Sequence, residues 1–342
     1  MPDYGFLVLP SHNRVYSQAA VELAAAELAV FGERAMDGRI GGIARTDLGG
    51  VPYVTFSADE LTERDLRLLS NLSSLYALFA IEDGRLTPLA KQPLDLFGSE
   101  LLTIQKYPGK TNEDFTKLLL NVTALASDRP LDLVAGRPRV LDPMCGRGTT
   151  LNQALMYGWD ASGVDVDGKD VDAYALFLRT WLKHSRLKHQ ADLTTVRRAK
   201  AVLGRRFQAT VGATKERYKA GETIEVTVVH ADTLRSGDFF RPGSFDLVVT
   251  DAPYGVQHGS RQGGLSRSPA DLLEAAVPVW AGLLRTGGAI GISWNTHVGR
   301  RSRLAGILDE NGFEVQDSAA YLGFEHRVDQ AILRDLIVAR KR

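Results

Sequence analysis

Apolar and polar positions recur with two different periods along this chain, and the character changes near Gly98. Before that point, "YGFLVLP" (Tyr4 to Pro10) reads as a strand. "SQAAVELAAAELAVFG" (Ser17 to Gly32) has helical spacing, a serine cap and a closing glycine. "VPYVTFS" (Val51 to Ser57) alternates like a half-buried strand. Ser57 with Glu60 three residues later offers a capping box for an amphipathic helix that runs toward another strand. This order predicts a small α+β domain of the ferredoxin-like kind over residues 1–98.

Beyond Gly98, strands and helices alternate. A helix capped by Thr111 or Asn112 precedes predicted strands at Arg139–Leu141, Ala161–Asp165, Ile224–His230, Phe245–Thr250, Ala289–Ser293 and Glu314–Leu322. Helical stretches fall at Thr149–Tyr157, Pro269–Leu284 and Arg301–Asn311. Such alternation predicts a mainly parallel α/β sheet covered on both faces over residues 99–342. "GFEVQDSAAYLGF" followed by "AILRDLIVAR" adds an antiparallel hairpin at its edge.

Composition changes this picture little. The apolar and charged fractions are those of an ordinary globular protein, and the formal net charge is zero, so no global field argues for a nucleic acid. The single cysteine, Cys145, excludes an intramolecular disulfide framework and fits a reducing setting. No segment reads as a signal peptide or a membrane span, and the expected location is cytoplasmic. One region breaks the balance: residues 183–219 hold 11 Lys or Arg against 2 Asp or Glu. They fill a place where a short link would suffice. This basic insertion reads as helical, with charges suited to phosphate contacts or simply to a solvated face.

The chemistry concentrates at the ends of the predicted strands. "VLDPMCGRGTT" (Val140 to Thr150) delivers Asp142 from a buried strand, then Gly146 and Gly148 open a helix. Glycines there let main chain approach a ligand and aim helix N–H groups at a carboxylate or phosphate. A dinucleotide fingerprint needs a third glycine where Leu151 stands, which disfavours NAD. In "GVDVD", Asp165 closes the second strand, where a carboxylate accepts ribose hydroxyls; Asp167 is the better helix cap. Asp232, just past the third strand, fits an acceptor for an adenine amine and a cap for the following turn equally well. Three acids ending three successive strands beside a glycine loop describe a pocket for an adenosine that carries a carboxylate. No metal site is expected.

"LDPMCGRGTT", "GVDVD" and "TDAPYG" resemble motifs of the S-adenosylmethionine-dependent amino-methyltransferases, close to the RNA (tRNA) guanine-N2 branch. "KYPGKTNEDFTKLLLNVTALA" is similar to the helix that precedes the glycine loop in that family. The resemblance runs from about Leu101 to the C-terminus, and no THUMP RNA-binding domain is evident beside it. It implies a Rossmann-like, seven-stranded class I methyltransferase sheet. It also implies S-adenosylmethionine bound by Asp142, Pro143, Cys145, Gly146, Gly148, Thr149, Asp165, Val166, Asp232 and Asp251.

Asp251, Ala252, Pro253 and Tyr254 form the implied catalytic tetrapeptide. An amine on an sp² carbon is a weak nucleophile because its lone pair is delocalised. The Asp251 carboxylate and the Ala252 carbonyl would hold its two N–H groups, Pro253 would stiffen the loop, and Tyr254 would stack on the ring. Arg147 and Ala252 depart from the family pattern, and alanine loses rigidity while keeping the carbonyl. Cys145 reads as a packing residue in the cofactor loop. Trp294 or Asn295 in "SWNTH", the loop histidine His258, and "LGFEHRVDQ" (Leu322 to Gln330) are further candidates for the substrate side.

The expected reaction is methylation of an exocyclic sp² amine, foremost guanine N2 in RNA (tRNA or rRNA). A small planar amine or guanidine is the alternative substrate. A nucleic-acid-binding protein that keeps the fold without catalysis is the third reading.

Overall fold

Tyr4, Phe6 and Val8 alternate inward along the first strand, β1 (Asp3–Val8). Against that face lies α1 (Arg14–Ala35), whose Ala20, Ala24, Leu28, Phe31 and Ala35 recur at helical spacing. The computed structural model describes residues 3–9, 14–198, 201–253 and 269–342. After α1 come β2 (Gly41–Leu48), β3 (Val51–Ser57), α2 (Glu63–Leu69), β4 (Leu75–Glu82) and β5 (Arg85–Leu89). Their sheet has the order β2-β3-β1-β4-β5 with every pairing antiparallel. The first four strands and two helices give the ferredoxin-like arrangement, with β5 added at one edge. The capping box is five residues later than Ser57/Glu60: Thr62 accepts from the Asp65 N–H while the Asp65 carboxylate accepts from the Thr62 N–H.

The short α3 (Glu100–Thr103) leads to α4 (Glu113–Ala126), which is buried on nearly every side beyond its first turn because it is covered from both directions. It packs on α1 on one flank and on the second sheet on the other. Asn112 caps its N-terminus by accepting from the Phe115 N–H at 3.0 Å. Thr111, the other cap candidate, is released for a different task described below. Arg34 of α1 donates to the Leu125, Ala126 and Ser127 carbonyls, satisfying the C-terminal end of α4.

Glu27, on the buried side of α1, accepts from the Ser73 N–H and hydroxyl and from Asn121 of α4. Burial pushes its carboxyl above the ordinary carboxylate range against those bonds. Glu27→Ala strands three buried donors, so we expect a loss of about 2–3 kcal/mol of stability, read as a lower urea midpoint at unchanged m-value.

The second sheet begins after α5 (Asp132–Ala135) with β6 (Val140–Asp142), α6 (Thr149–Met156), β7 (Ala161–Asp165) and α7 (Gly168–His184). Next come β8 (His189–Arg198), β9 (Ala201–Gly212), α8 (Lys215–Lys219) and β10 (Thr223–His230). A 3-10 turn (Thr233–Asp238) precedes β11 (Phe245–Asp251), α9 (Pro269–Leu283), β12 (Leu284–Asn295) and α10 (Arg301–Glu310). The chain closes with β13 (Phe313–Val315), β14 (His326–Arg327) and β15 (Leu333–Lys341).

The order β13-β15-β12-β11-β6-β7-β10 contains parallel β12, β11, β6, β7 and β10, with β15 antiparallel to both of its neighbours. This is the seven-stranded Rossmann-like sheet that the sequence predicts. From β6 the chain winds outward through β7 to β10, then returns to β11 on the other side, so β6 and β11 flank the topological switch point.

Two expectations are corrected. The basic insertion is mainly a β-hairpin, β8 and β9, which extends the sheet beyond β10; only the last two residues of α7 and the short α8 are helical. Phe207, Ala209 and Val211 alternate into the core, and that period of two overrides the helix propensity of the Lys and Arg residues. The strand predicted over Glu314–Leu322 pairs only through Val315. Tyr321 instead turns inward, and its hydroxyl donates to the Val122 carbonyl of α4. Among the described residues no helix is long and apolar enough to cross a membrane.

Candidate active site

Asp142 and Asp251 end the two strands that flank the switch point. β6 is only three residues long and wholly buried, so Asp142 leaves it with little access to water. Its carboxylate accepts from the Met144 N–H at 3.2 Å, from the Thr250 hydroxyl at 2.9 Å, and from Thr150. Desolvation outweighs those bonds and, with the nearby Asp251 charge, pushes the carboxyl up to about 7.

Pro143 and Met144 lead into the glycine loop. Gly146 and Gly148 both sit at positive φ, +49° and +79°. Gly148 caps α6, and any Cβ there would run into the Tyr174 ring, so the turn admits only glycine. Thr149 follows as the first residue of α6, its hydroxyl 3.2 Å from that of Tyr107. Arg147, the larger of the two departures from the expected motif, leans out of the loop. Its Nε donates to Asp170 at 2.8 Å and its guanidinium lies 4.8 Å from the Tyr107 ring centre. Cys145 is buried with its sulfur against Gly163, and burial pushes the thiol well up, which suits a packing residue better than a nucleophile.

Asp165 at the end of β7 accepts from the Gly146 N–H at 2.7 Å and the Asp167 N–H at 2.8 Å. It therefore ties the glycine loop to its own strand, while Asp167 caps α7. Val166 beside it is 54% exposed, an apolar surface next to a hydroxyl acceptor. Asp232 caps the 3-10 turn by accepting from the Leu234 N–H, which is the capping half of its two readings. These groups suit S-adenosylmethionine: a carboxylate for ribose, an apolar shelf for a base, a glycine cradle, and a buried carboxylate for a cation.

Asp251 carries a constellation that no sequence spacing reveals. Its Oδ2 accepts from the Thr111 hydroxyl and its Oδ1 from the Ser293 hydroxyl, both at 2.6 Å. The buried Arg334 guanidinium lies 3.7 Å from Oδ2 and 4.3 Å from the Phe115 ring centre. His326, opposite Arg334 in the β14–β15 pairing, packs on Phe115 with its pKa lowered to about 4 by burial, which keeps it neutral. Three segments that are distant in sequence, the loop before α4, the end of β12 and the start of β15, thus hold one carboxylate.

Ala252 is buried, and its N–H donates to the Ser293 carbonyl at 2.9 Å. A proline could not make that bond. The alanine therefore regains through β12 the stiffness that a proline ring would have given. Pro253 follows directly. Tyr254 and His258 lie outside the described residues.

Two further candidates turn inward. Trp294 is buried, and its indole N–H donates to the Gly299 carbonyl. Asn295 is consumed by the Ala331 carbonyl and by the His297 and Leu333 N–H groups. Both hold the loop after β12 and neither offers a side chain to a substrate.

Residues 133–267 match the protein-family model described as UPF0020: RMKL-like, methyltransferase domain. No curated protein matches the chain. Among solved structures, the chain is similar to the PH0226 protein of Pyrococcus horikoshii OT3 at 12% identity, covering 72% of this chain and 96% of that one, with a TM-score of 0.39. It is also similar to precorrin-6y C5,15-methyltransferase of Geobacter metallireducens at 11% identity, covering 69% and 93%, with a TM-score of 0.38. The matched stretch holds β6, the glycine loop, β7, β10 and β11. The chain thus carries a methyltransferase domain of the kind that uses S-adenosylmethionine.

Proposed function

We propose that this enzyme methylates an exocyclic amine on an sp² carbon, with guanine N2 in RNA as the substrate. The observation that carries the reading is the end of β11, where Asp251, Ala252 and Pro253 leave the sheet at the switch point, beside Asp142 and the glycine loop. S-adenosylmethionine, when bound, supplies an electrophilic methyl group. Asp165 would accept the ribose hydroxyls, Val166 would cover the base, and Asp142 would face the positive charge.

Asp251 is held by the Thr111 and Ser293 hydroxyls, so the direction of its lone pairs is set before a substrate arrives. An amine N–H donated to that carboxylate turns the nitrogen lone pair toward the methyl donor. The proton released on transfer passes to Asp251 or to solvent. The main-chain carbonyl of Ala252 serves as the second acceptor. The guanine-N2 assignment rests on the motif resemblance.

The test is transfer of label from methyl-labelled S-adenosylmethionine to bulk RNA, followed by nucleoside mass analysis. The expected product is N2-methylguanosine. Label in a different nucleoside, or in a metabolite with RNA left unlabelled, would overturn the assignment.

A further inference from the structure

We propose that Lys110 is a positioning residue, whose ammonium holds Thr111 against the Asp251 carboxylate. The loop that joins α3 to the Asn112 cap of α4 contains a tight turn from Tyr107 to Lys110. The Lys110 N–H donates to the Tyr107 carbonyl at 3.2 Å, and Gly109 sits at a φ of +80°. Proline at the first corner and a positive-φ glycine at the second form the pattern of a type II turn. That turn aims the Lys110 side chain back across the loop.

A lysine ammonium has three N–H donors, and here each finds an acceptor. Nζ donates to the Leu102 carbonyl at 2.6 Å, to the Gln105 carbonyl at 2.8 Å, and to the Glu113 carboxylate. Leu102 lies in the last turn of α3, where carbonyls lack helical partners, and Glu113 is the first residue of α4. One cation therefore clamps the end of one helix, the loop, and the start of the next helix. Its side chain is only 12% exposed. With its donors taken, the ammonium serves the loop and not a substrate phosphate.

Both flanks of the clamp touch the site. Thr111 follows directly, and its hydroxyl donates to Asp251 Oδ2 at 2.6 Å. On the far side of the turn, the Tyr107 hydroxyl is 3.2 Å from that of Thr149, and Arg147 lies over the ring. The loop thus meets the cofactor loop through one residue and the amine acceptor through another, with Lys110 fixing the turn between them. Without the clamp, Thr111 is free to leave Oδ2, while the Ser293 hydroxyl still holds Oδ1. The loss is therefore partial, smaller than the roughly 10²-fold that a misplacement of about 1 Å can cost. This inference rests on the reading of Asp251 as the amine acceptor.

The full chain is compared with Lys110→Met, Thr111→Val and the double variant, each below its melting temperature. Lys110→Gln is carried alongside, so that a folding failure of the methionine variant leaves the same comparison in place. Transfer from methyl-labelled S-adenosylmethionine to unfractionated RNA gives kcat and KM. Lys110→Met should lower kcat about tenfold, with KM and the dissociation constant of S-adenosylhomocysteine within about twofold. Thr111→Val should do the same, and the double variant should fall little further, because both act through one hydrogen bond. Effects that multiply to about 100-fold would show two independent roles and overturn the proposal. So would a lower melting temperature in Lys110→Met with kcat unchanged, the signature of a clamp that serves only the fold. A matching loss of S-adenosylhomocysteine affinity would make Lys110 a brace of the cofactor loop and overturn it too. A crystal structure of Lys110→Met reads the same point without turnover. Thr111 should no longer lie within hydrogen-bond distance of Asp251, and a retained bond would sink the positioning role whatever the substrate is. Failure of the Asp251 reading looks different: Asp251→Asn would then turn over normally, whatever Lys110→Met does.

Discussion

Asp251→Ala should lower kcat by about 10³-fold and leave the dissociation constant of S-adenosylhomocysteine within about twofold. Removal of a preorganised hydrogen-bonding group at the reacting centre costs on the order of 10²–10³-fold. Here a second loss is added, because the lone pair of the amine is no longer aimed. The cofactor loop does not depend on the Asp251 side chain: its glycines are tied to Asp165 through the Gly146 N–H. Alanine would also leave the buried Arg334 guanidinium without a carboxylate 3.7 Å away, so a fall in melting temperature is expected with that variant. Asp251→Asn keeps the shape and the oxygen facing one hydroxyl, and serves as the control for folding. Loss of turnover in both variants with the cofactor still bound supports the assigned role. Turnover within threefold of wild type in either would remove Asp251 from the mechanism.

The parallel strands were readable because strands buried on both faces read as short apolar runs, and here three of the runs, β6, β7 and β11, stop on an acid. Phe245–Asp251 and Ala161–Asp165 are of this kind. The glycine loop was readable because positive φ admits few residues other than glycine, so its spacing records backbone shape directly.

What surrounds Asp251 was not readable. Thr111, Ser293 and Arg334 come from a loop before α4, the end of β12 and the start of β15, and only the sheet order brings them together. Thr111 even carried a plausible wrong role as a helix cap, which Asn112 fills. The hairpin failed for another reason. Lys and Arg are good helix formers, and their number masked the inward alternation of Phe207, Ala209 and Val211. Its pairing with β10 is long-range and leaves no local signal. Half-exposed, glycine-rich β2 was missed because neither of its faces carries a full apolar stripe.

Asp142 leads to the second large effect, a pH-dependent affinity for S-adenosylmethionine. In the protein without cofactor, desolvation holds this carboxyl near 7, far above the ordinary carboxylate range. Below that pH Asp142 is mostly neutral, and above it ionised. The cofactor brings a sulfonium and an ammonium, which favour the ionised form and pull the pKa down in the complex. Binding therefore releases a proton at pH 6–7, and affinity should fall about tenfold for each pH unit below about 7. The stability linkage runs in the opposite sense. With the folded pKa raised, the contribution of Asp142 is fully present below the unfolded value near 4 and is lost as pH rises through about 7. The cofactor-free protein thus loses stability from this group between about pH 4 and pH 7, and the cofactor restores it. Asp142→Asn fixes the neutral state: affinity at pH 8 should drop roughly 10²-fold, and the pH dependence should flatten. Titration calorimetry in two buffers of different ionisation enthalpy reads the released proton directly. A wild-type affinity that stays level from pH 5.5 to 8, with no buffer-dependent heat, would mean that Asp142 meets no cofactor charge and serves only to brace Thr150 and Thr250.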